Sequence, residues 1–157
     1  MLSYRAIFLA ALLVTACAAS RNDELAEPWR VGVTTEGGFA GRGIGAFSIQ
    51  SNGTVEVTTM QGKRCTFQAS EQERLRFREL LTAARPERWA PSYVPEEHCC
   101  DRIEYTLTLD AGRTTTTRWI DEPLPMPDDL TALADRIVGG PESLRVTYDP
   151  RCQAGPQ

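Results

Sequence analysis

Five cysteines and a single histidine, His98, carry the most distinctive chemistry in this sequence of 157 residues. Cys65, Cys99, Cys100 and Cys152 could form two disulfides, and four cysteines allow three pairings. A Cys99–Cys100 bridge would strain an eight-membered ring, so we expect Cys65 to pair with one member of that adjacent pair and Cys152 with the other. The alternative is a metal site around His98, but structural zinc sites space their cysteines as C-x₂₋₄-C. We therefore predict disulfides and no metal or other cofactor.

Other side chains offer little for catalysis. A single histidine excludes sites that need two imidazoles and leaves little room for a Ser-His-Asp or Cys-His arrangement. The sequence has two adjacent carboxylate pairs, Glu96-Glu97 and Asp128-Asp129. Neighbouring side chains on an extended chain point to opposite faces, so these pairs are typical of solvated acids or of charge at a helix N-terminus. We predict a protein that is not an enzyme and assign no catalytic residue.

The charge balance and the glycine pattern both argue against nucleic acids and nucleotides as partners. Lys and Arg number 17 against 21 Asp and Glu, for a net charge of -4. That balance argues against nucleic-acid binding, which usually needs a basic surface. Gly41-Arg42-Gly43 is followed by a predicted strand, whereas a dinucleotide-binding loop must open a helix. We therefore expect neither nucleic acid nor nucleotide as a partner.

The first 16 residues are predicted to be a lipoprotein signal peptide. An apolar run over residues 6–16 follows Arg5 and is shorter than the roughly 20 residues that cross a bilayer. Small residues then precede Cys17 in the pattern of a bacterial lipobox, so we expect cleavage before Cys17 and acylation, including palmitate. An ordinary signal peptide with an incidental Cys17 is the alternative. Residues 17–28 would be a lipid-attached tether, and Ala18 after the cysteine favours the periplasmic side of the outer membrane.

Hydrophobic periodicity predicts an α+β domain over residues 29–138. Alternating residues and turn signals indicate strands near 29–34, 46–50, 54–60, 64–67, 103–109 and 113–121. A capping box at Ser70 opens a helix that ends by Arg85 and carries Leu75, Leu80, Leu81 and Ala84 on one face. Asp128 is expected to cap a short helix that ends at Gly139-Gly140. We expect an antiparallel sheet of about four to five strands, one main helix on one face and a short C-terminal helix, followed by an aperiodic tail over 139–157 stapled by Cys152.

The segment Gly37, Gly38, Phe39, Ala40 and Gly41 is the candidate partner-binding loop. Two interpretations fit it. Phe39 could enter the core while the glycines allow a wide turn, or the segment could be a recognition loop whose bare backbone lets a partner approach closely. A free sheet edge offers a second route to a partner, by pairing with an extended segment.

Three parts of the chain resemble the emfourin family of small bacterial inhibitors of thermolysin-type metallopeptidases, which also has many exported relatives. They are the segment 36–41 after the first strand, Cys99-Cys100-Asp101-Arg102 leading into the strand 103–108, and the acidic, proline-containing approach to a final helix over 121–137. The resemblance covers roughly residues 29 to 138. It implies an antiparallel sheet with a packed helix, and a protease-binding module. Only the segment from Gly37 to Gly41 is carried over as a contact region.

The sequence thus predicts an exported lipoprotein, held to the cell envelope by Cys17, whose domain binds a metallopeptidase or another envelope protein. The runner-up is an envelope structural or interaction lipoprotein that uses the same domain without inhibiting a protease.

Overall fold

The structure is a computed structural model, and it describes residues 25–39, 41–96, 101–123 and 125–155. Several sequence predictions fall outside these ranges. They are the signal peptide and the acylation of Cys17, and the roles assigned to Ala40, His98, Cys99 and Cys100.

Six antiparallel strands form one sheet in the order β4-β3-β2-β1-β5-β6. They are β1 (Trp29–Gly37), β2 (Gly45–Gln50), β3 (Thr54–Thr59), β4 (Arg64–Gln68), β5 (Ile103–Ala111) and β6 (Thr114–Ile120). The predicted α+β class is confirmed, with more strands than the four to five expected. One of the two central strands is β1, which pairs with β2 on one side and with β5 on the other.

Strict alternation along β1 explains how the sheet divides into two faces. Trp29, Val31 and Val33 are buried, whereas Arg30 and Thr34 are exposed. Each buried residue lies opposite another apolar residue, because Val31 pairs with Ile49 and Leu109, and Val33 pairs with Phe47 and Leu107. One face of the sheet is therefore a continuous apolar surface, and the other is polar and rich in threonine.

The helical segments cover the apolar face. They are α1 (Glu71–Ala83), a 3₁₀ turn (Pro86–Arg88), α2 (Asp128–Ala134), a π-helical turn (Asp135–Gly139) and α3 (Leu144–Ala154). Ser70 caps α1 as predicted, its hydroxyl accepting from the Glu73 N–H. The core residues of α1 are Phe77 and Leu81, while Leu75, which was expected on the apolar face, is 43% exposed. None of the helices in the described ranges is long and apolar enough to cross a membrane.

The C-terminal segment differs from its prediction. Residues 144–154, expected as an aperiodic tail, form α3, whose N-terminus is capped by Ser143. Leu144, Tyr148 and Cys152 are spaced four residues apart and are all buried, so α3 packs against the sheet through one apolar stripe. The short helix α2 does form, but its N-cap is Pro127 and not Asp128. Asp128 is the first residue of the helix, and no side chain makes a capping hydrogen bond there.

The disulfide connectivity also differs from the prediction. Cys65 on β4 is bonded to Cys152 on α3, with 5.7 Å between their Cα atoms. Pairing of Cys65 and Cys152 with separate members of the Cys99-Cys100 pair was therefore wrong. The physical reason is α3 itself: once residues 144–154 coil into a helix under β3 and β4, the Cys152 side chain lies directly beneath Cys65.

Asp129, part of a predicted carboxylate pair, ties α2 to the end of α1. Its carboxylate accepts from the Arg85 backbone N–H at 2.6 Å and from Trp89 Nε1 at 3.2 Å. Partial burial acts to raise the pKa of Asp129, but these hydrogen bonds outweigh it, so the pKa is lowered. This carboxylate is therefore a structural group that links two helical segments.

Replacing Asp129 with alanine is expected to lower the free energy of unfolding by about 1–2 kcal/mol at pH 7. A lowered folded-state pKa stabilises the fold above the unfolded value of about 3.9, and this contribution is lost as the pH falls below it. Urea denaturation of the parent and of Asp129→Ala at pH 7 and at pH 3 measures both effects. A difference that stays constant between the two pH values would contradict the assignment, and Asp129→Asn, which keeps one acceptor oxygen, serves as the milder control.

Candidate functional site

The candidate partner-binding residues lie in the connection from β1 to β2, here called the glycine loop (residues 37–44). Its first glycine ends β1 beside the start of β5, since Gly37 is in register with Ile103. The Gly38 N–H donates to the Arg102 carbonyl oxygen at 2.9 Å. Two bonds close the loop on itself, from Gly41 N–H to the Gly38 oxygen at 2.9 Å and from Gly43 N–H to the Gly37 oxygen at 2.8 Å. The described residues of the loop thus form a folded projection from the end of β1.

At two positions of the loop, neighbouring atoms leave no room for a Cβ and the backbone angle also favours glycine. Gly37 has φ +78°, and a Cβ there would lie 2.4 Å from the Arg102 carbonyl oxygen. Gly43 has φ +60°, and a Cβ there would lie 2.4 Å from Thr35 Oγ1. L side chains rarely adopt such angles. The glycine-rich composition therefore encodes one compact loop shape.

Thr35 braces the base of this loop from the core face of β1. Its buried hydroxyl accepts from the Ile44 N–H at 2.8 Å and from the Gly45 N–H at 2.9 Å, and it donates to the Gly45 carbonyl oxygen at 2.6 Å. Three hydrogen bonds to one hydroxyl hold the point where the loop returns to β2. Sequence reasoning missed this role; a threonine at a core-facing position of an otherwise apolar strand was the available signal.

Phe39 lies at the tip of the glycine loop and is 97% exposed. The interpretation in which Phe39 enters the core is therefore wrong. Burying a phenylalanine side chain is worth about 1.5–3 kcal/mol, and none of that is realised within the described part of the chain. A well-braced loop that presents an unburied aromatic ring is suited to contact with another molecule.

A second apolar side chain lies at the same end of the sheet. Met60, 45% exposed, begins the turn from β3 to β4, next to Thr59, which pairs with Gly45. Between this turn and the glycine loop is an open groove of about 380 Å³, lined by Thr34, Thr35, Arg42, Gly45, Ala46, Thr58, Thr59, Met60, Gln61 and Gly62. The sequence prediction included the loop but missed Met60 and the groove, because their proximity depends on the β2–β3 pairing.

The polar residues that flank the loop are engaged in structural contacts. Arg102, next to the loop, forms an ion pair with Glu122. The Asp121 carboxylate accepts from the Ile103 N–H at 3.2 Å, which joins the ends of β5 and β6. Within the described ranges, no group of three or more His, Cys, Asp or Glu side chains is placed to hold a metal ion. The arrangement can therefore offer shape and apolar contact, with Arg42 as a cation at the groove.

Comparisons of the sequence with protein-family models, with curated proteins and with solved structures find no match. The interpretation of the glycine loop depends on its geometry and on the motifs of the sequence.

Proposed function

We propose that this chain is a non-enzymatic protein-binding module of an exported lipoprotein, and that the glycine loop is its contact region. The observation that carries the proposal is Phe39, which is almost fully exposed at the tip of a loop whose base is fixed by Thr35. An exposed phenylalanine gains its burial free energy only on contact with another molecule, and aromatic residues including phenylalanine are enriched in protein–protein interfaces.

The hydrogen bonds that hold the glycine loop favour binding. Association costs free energy when flexible segments must be ordered, and a loop already held by hydrogen bonds avoids most of that cost. Backbone hydrogen bonds from the Gly41 and Gly43 N–H groups to the Gly38 and Gly37 oxygens support the loop in the free chain. Burial of Phe39 in a partner would then contribute almost its full transfer free energy.

The kind of partner follows from shape and from the family resemblance. A narrow projection with one aromatic ring at its tip matches a concave, partly apolar site better than a flat surface. The resemblance to inhibitors of thermolysin-type metallopeptidases implies such a site, the substrate cleft of a protease. We propose a metallopeptidase as the partner, bound by insertion of the Phe39 ring, and Cys17 as the acylated anchor that holds the module to the envelope membrane.

Titration of a thermolysin-type metallopeptidase with the purified protein tests this proposal. We expect stoichiometric loss of peptidase activity, and we expect Phe39→Ala to weaken inhibition about thirty-fold, which corresponds to about 2 kcal/mol. Leu75→Ala is the matched control, because Leu75 is a large apolar residue, 43% exposed, on α1 rather than in the loop. It is expected to inhibit like the parent.

Equal inhibition by the parent and by Phe39→Ala would remove the loop from the interface. No inhibition of several such peptidases by the folded parent would refute protease binding. It would favour the alternative, an envelope interaction lipoprotein without inhibitory activity.

A further inference from the structure

The two edges of the sheet differ in whether another described segment forms hydrogen bonds with them. At the β6 edge, residues 91–93 lie alongside Arg118: its N–H donates to the Pro91 oxygen at 3.2 Å, and its oxygen accepts from the Tyr93 N–H at 2.8 Å. At the other edge, β4 pairs with β3, and no described segment pairs with its outer side. An uncovered strand edge is a template for pairing with another strand.

The hydrogen-bond alternation shows which groups of β4 face outward. Thr59 N–H donates to the Lys63 oxygen and Ala69 N–H to the Gly53 oxygen, so odd-numbered residues of β4 exchange bonds with β3. The backbone groups of Arg64, Thr66 and Gln68 therefore point away from β3. The strand has no proline or bulge, so the features that oppose edge pairing are limited to its length of five residues and one charged residue, Arg64.

We propose that this edge is a homotypic interface, in which β4 pairs antiparallel with β4 of a second copy of this chain about a two-fold axis at Thr66. In this register Thr66 faces the partner's Thr66, and Arg64 faces the partner's Gln68. About six backbone hydrogen bonds would form between the outward groups. No charge faces a like charge, since Arg64 meets a neutral amide in both halves. The strand is self-complementary as a two-fold interface requires.

The helical layer leaves room for this pairing. In such a dimer, α3 and its copy lie on the same side of the joined sheet. Because α3 packs mainly on β3, most of the helix and most of its copy would lie about three strand spacings apart, roughly 14 Å, and its C-terminal half, with Tyr148, Arg151 and Cys152, reaches β4. That separation exceeds the diameter of a helix, about 10 Å. The disulfide from Cys65 to Cys152 holds β4 on α3, so the edge is fixed before a second copy arrives.

A strand edge of five residues makes a small interface, so we expect weak association, with a Kd of the order of 10–100 µM. Sedimentation velocity of the purified full-length chain over a concentration series measures it. Thr66→Pro removes an N–H that β3 does not use, and proline is tolerated at such edge positions. We expect its self-association to be at least ten-fold weaker with an unchanged Tm, while Thr66→Val, which keeps the N–H, associates like the parent. Equal association of Thr66→Pro and the parent would overturn the proposal.

Cross-linking tests the register and does not depend on how proline affects folding. Residues facing each other in a hydrogen-bonded antiparallel pair have Cα atoms about 5.5 Å apart, within the range of about 4.4–6.8 Å for disulfides. Thr66→Cys should therefore give a covalent dimer under mild oxidation. Arg118→Cys, an exposed position at the point where residues 91–93 cover the β6 edge, is the control, because it contains the same native cysteines. No dimer from Thr66→Cys beyond that of the control would overturn the proposed register and interface.

Discussion

Replacing Cys65 with serine is expected to lower the free energy of unfolding by about 4 kcal/mol, because the Cys65–Cys152 bond closes a loop with a sequence separation of 87. A cross-link over so long a loop restricts the unfolded chain strongly. The bond also joins the edge strand β4 to α3 in the folded state. Urea denaturation of the parent and of Cys65→Ser, with midpoint and slope fitted together, measures the change.

The control variants for this prediction also test which cysteines are bonded to each other. Cys65 is only partly buried, so its replacement does not place a new hydroxyl in the core, whereas Cys152 is fully buried. In the double variant Cys99→Ser, Cys100→Ser, a non-reduced peptide map should still contain the peptide pair linked by Cys65 and Cys152. Loss of that linked pair would contradict the connectivity in the structure and restore the pairing that the sequence predicted.

Replacing Gly43 with alanine is expected to lower the free energy of unfolding by about 3 kcal/mol and to distort the glycine loop. Part of this is the cost of a left-handed residue with a Cβ, about 1–2 kcal/mol. The rest follows from the contact of the new Cβ with Thr35, whose hydroxyl would lose its bonds to Ile44 and Gly45. Hydrogen exchange of the Ile44 and Gly45 amides reports the loss directly, and we expect both to exchange faster in Gly43→Ala.

Gly41→Ala is the matched control for Gly43→Ala. Gly41 also has a positive φ, +68°, but no atom lies within 4 Å of the position of an added Cβ. Only the cost of a left-handed residue with a Cβ applies, so we expect the free energy of unfolding to fall by about 1 kcal/mol. The hydrogen exchange of the Ile44 and Gly45 amides should be unchanged. Equal effects of the two substitutions would show that Thr35 does not brace the loop.

Local patterns in the sequence are enough to predict the strands of the sheet and the first helix. The alternation around Val31 and Val33 and the capping box at Ser70 are short-range signals, and the structure confirms the elements they predict. The face of α1 was harder, because Leu75 and Phe77 are both apolar and only packing decides which is buried.

Two features of the structure could not be predicted from local sequence patterns. Pro150 within residues 144–154 argues against a helix, since proline lacks an N–H and disfavours helix interiors. Burial of Leu144, Tyr148 and Cys152 outweighs that cost, and the same helix decides the disulfide. The exposure of Phe39 is the opposite case: hydrophobicity predicts a buried phenylalanine, whereas the loop closed by the Gly41 and Gly43 hydrogen bonds leaves Phe39 in solvent.

The direction of β1 sets how far the Phe39 ring can stand from a membrane. The described chain enters the sheet at Trp29, beside Ala111, and leaves β1 at Gly37, so the entry point and the loop lie at opposite ends of one strand. Nine residues of strand span about 30 Å, and the chain from Cys17 to Leu25 adds at most about 28 Å when extended. Under the proposed acylation of Cys17, the domain would act as a spacer that holds Phe39 up to several tens of ångströms above the lipid, and shortening the chain between Cys17 and Trp29 would reduce that maximum height.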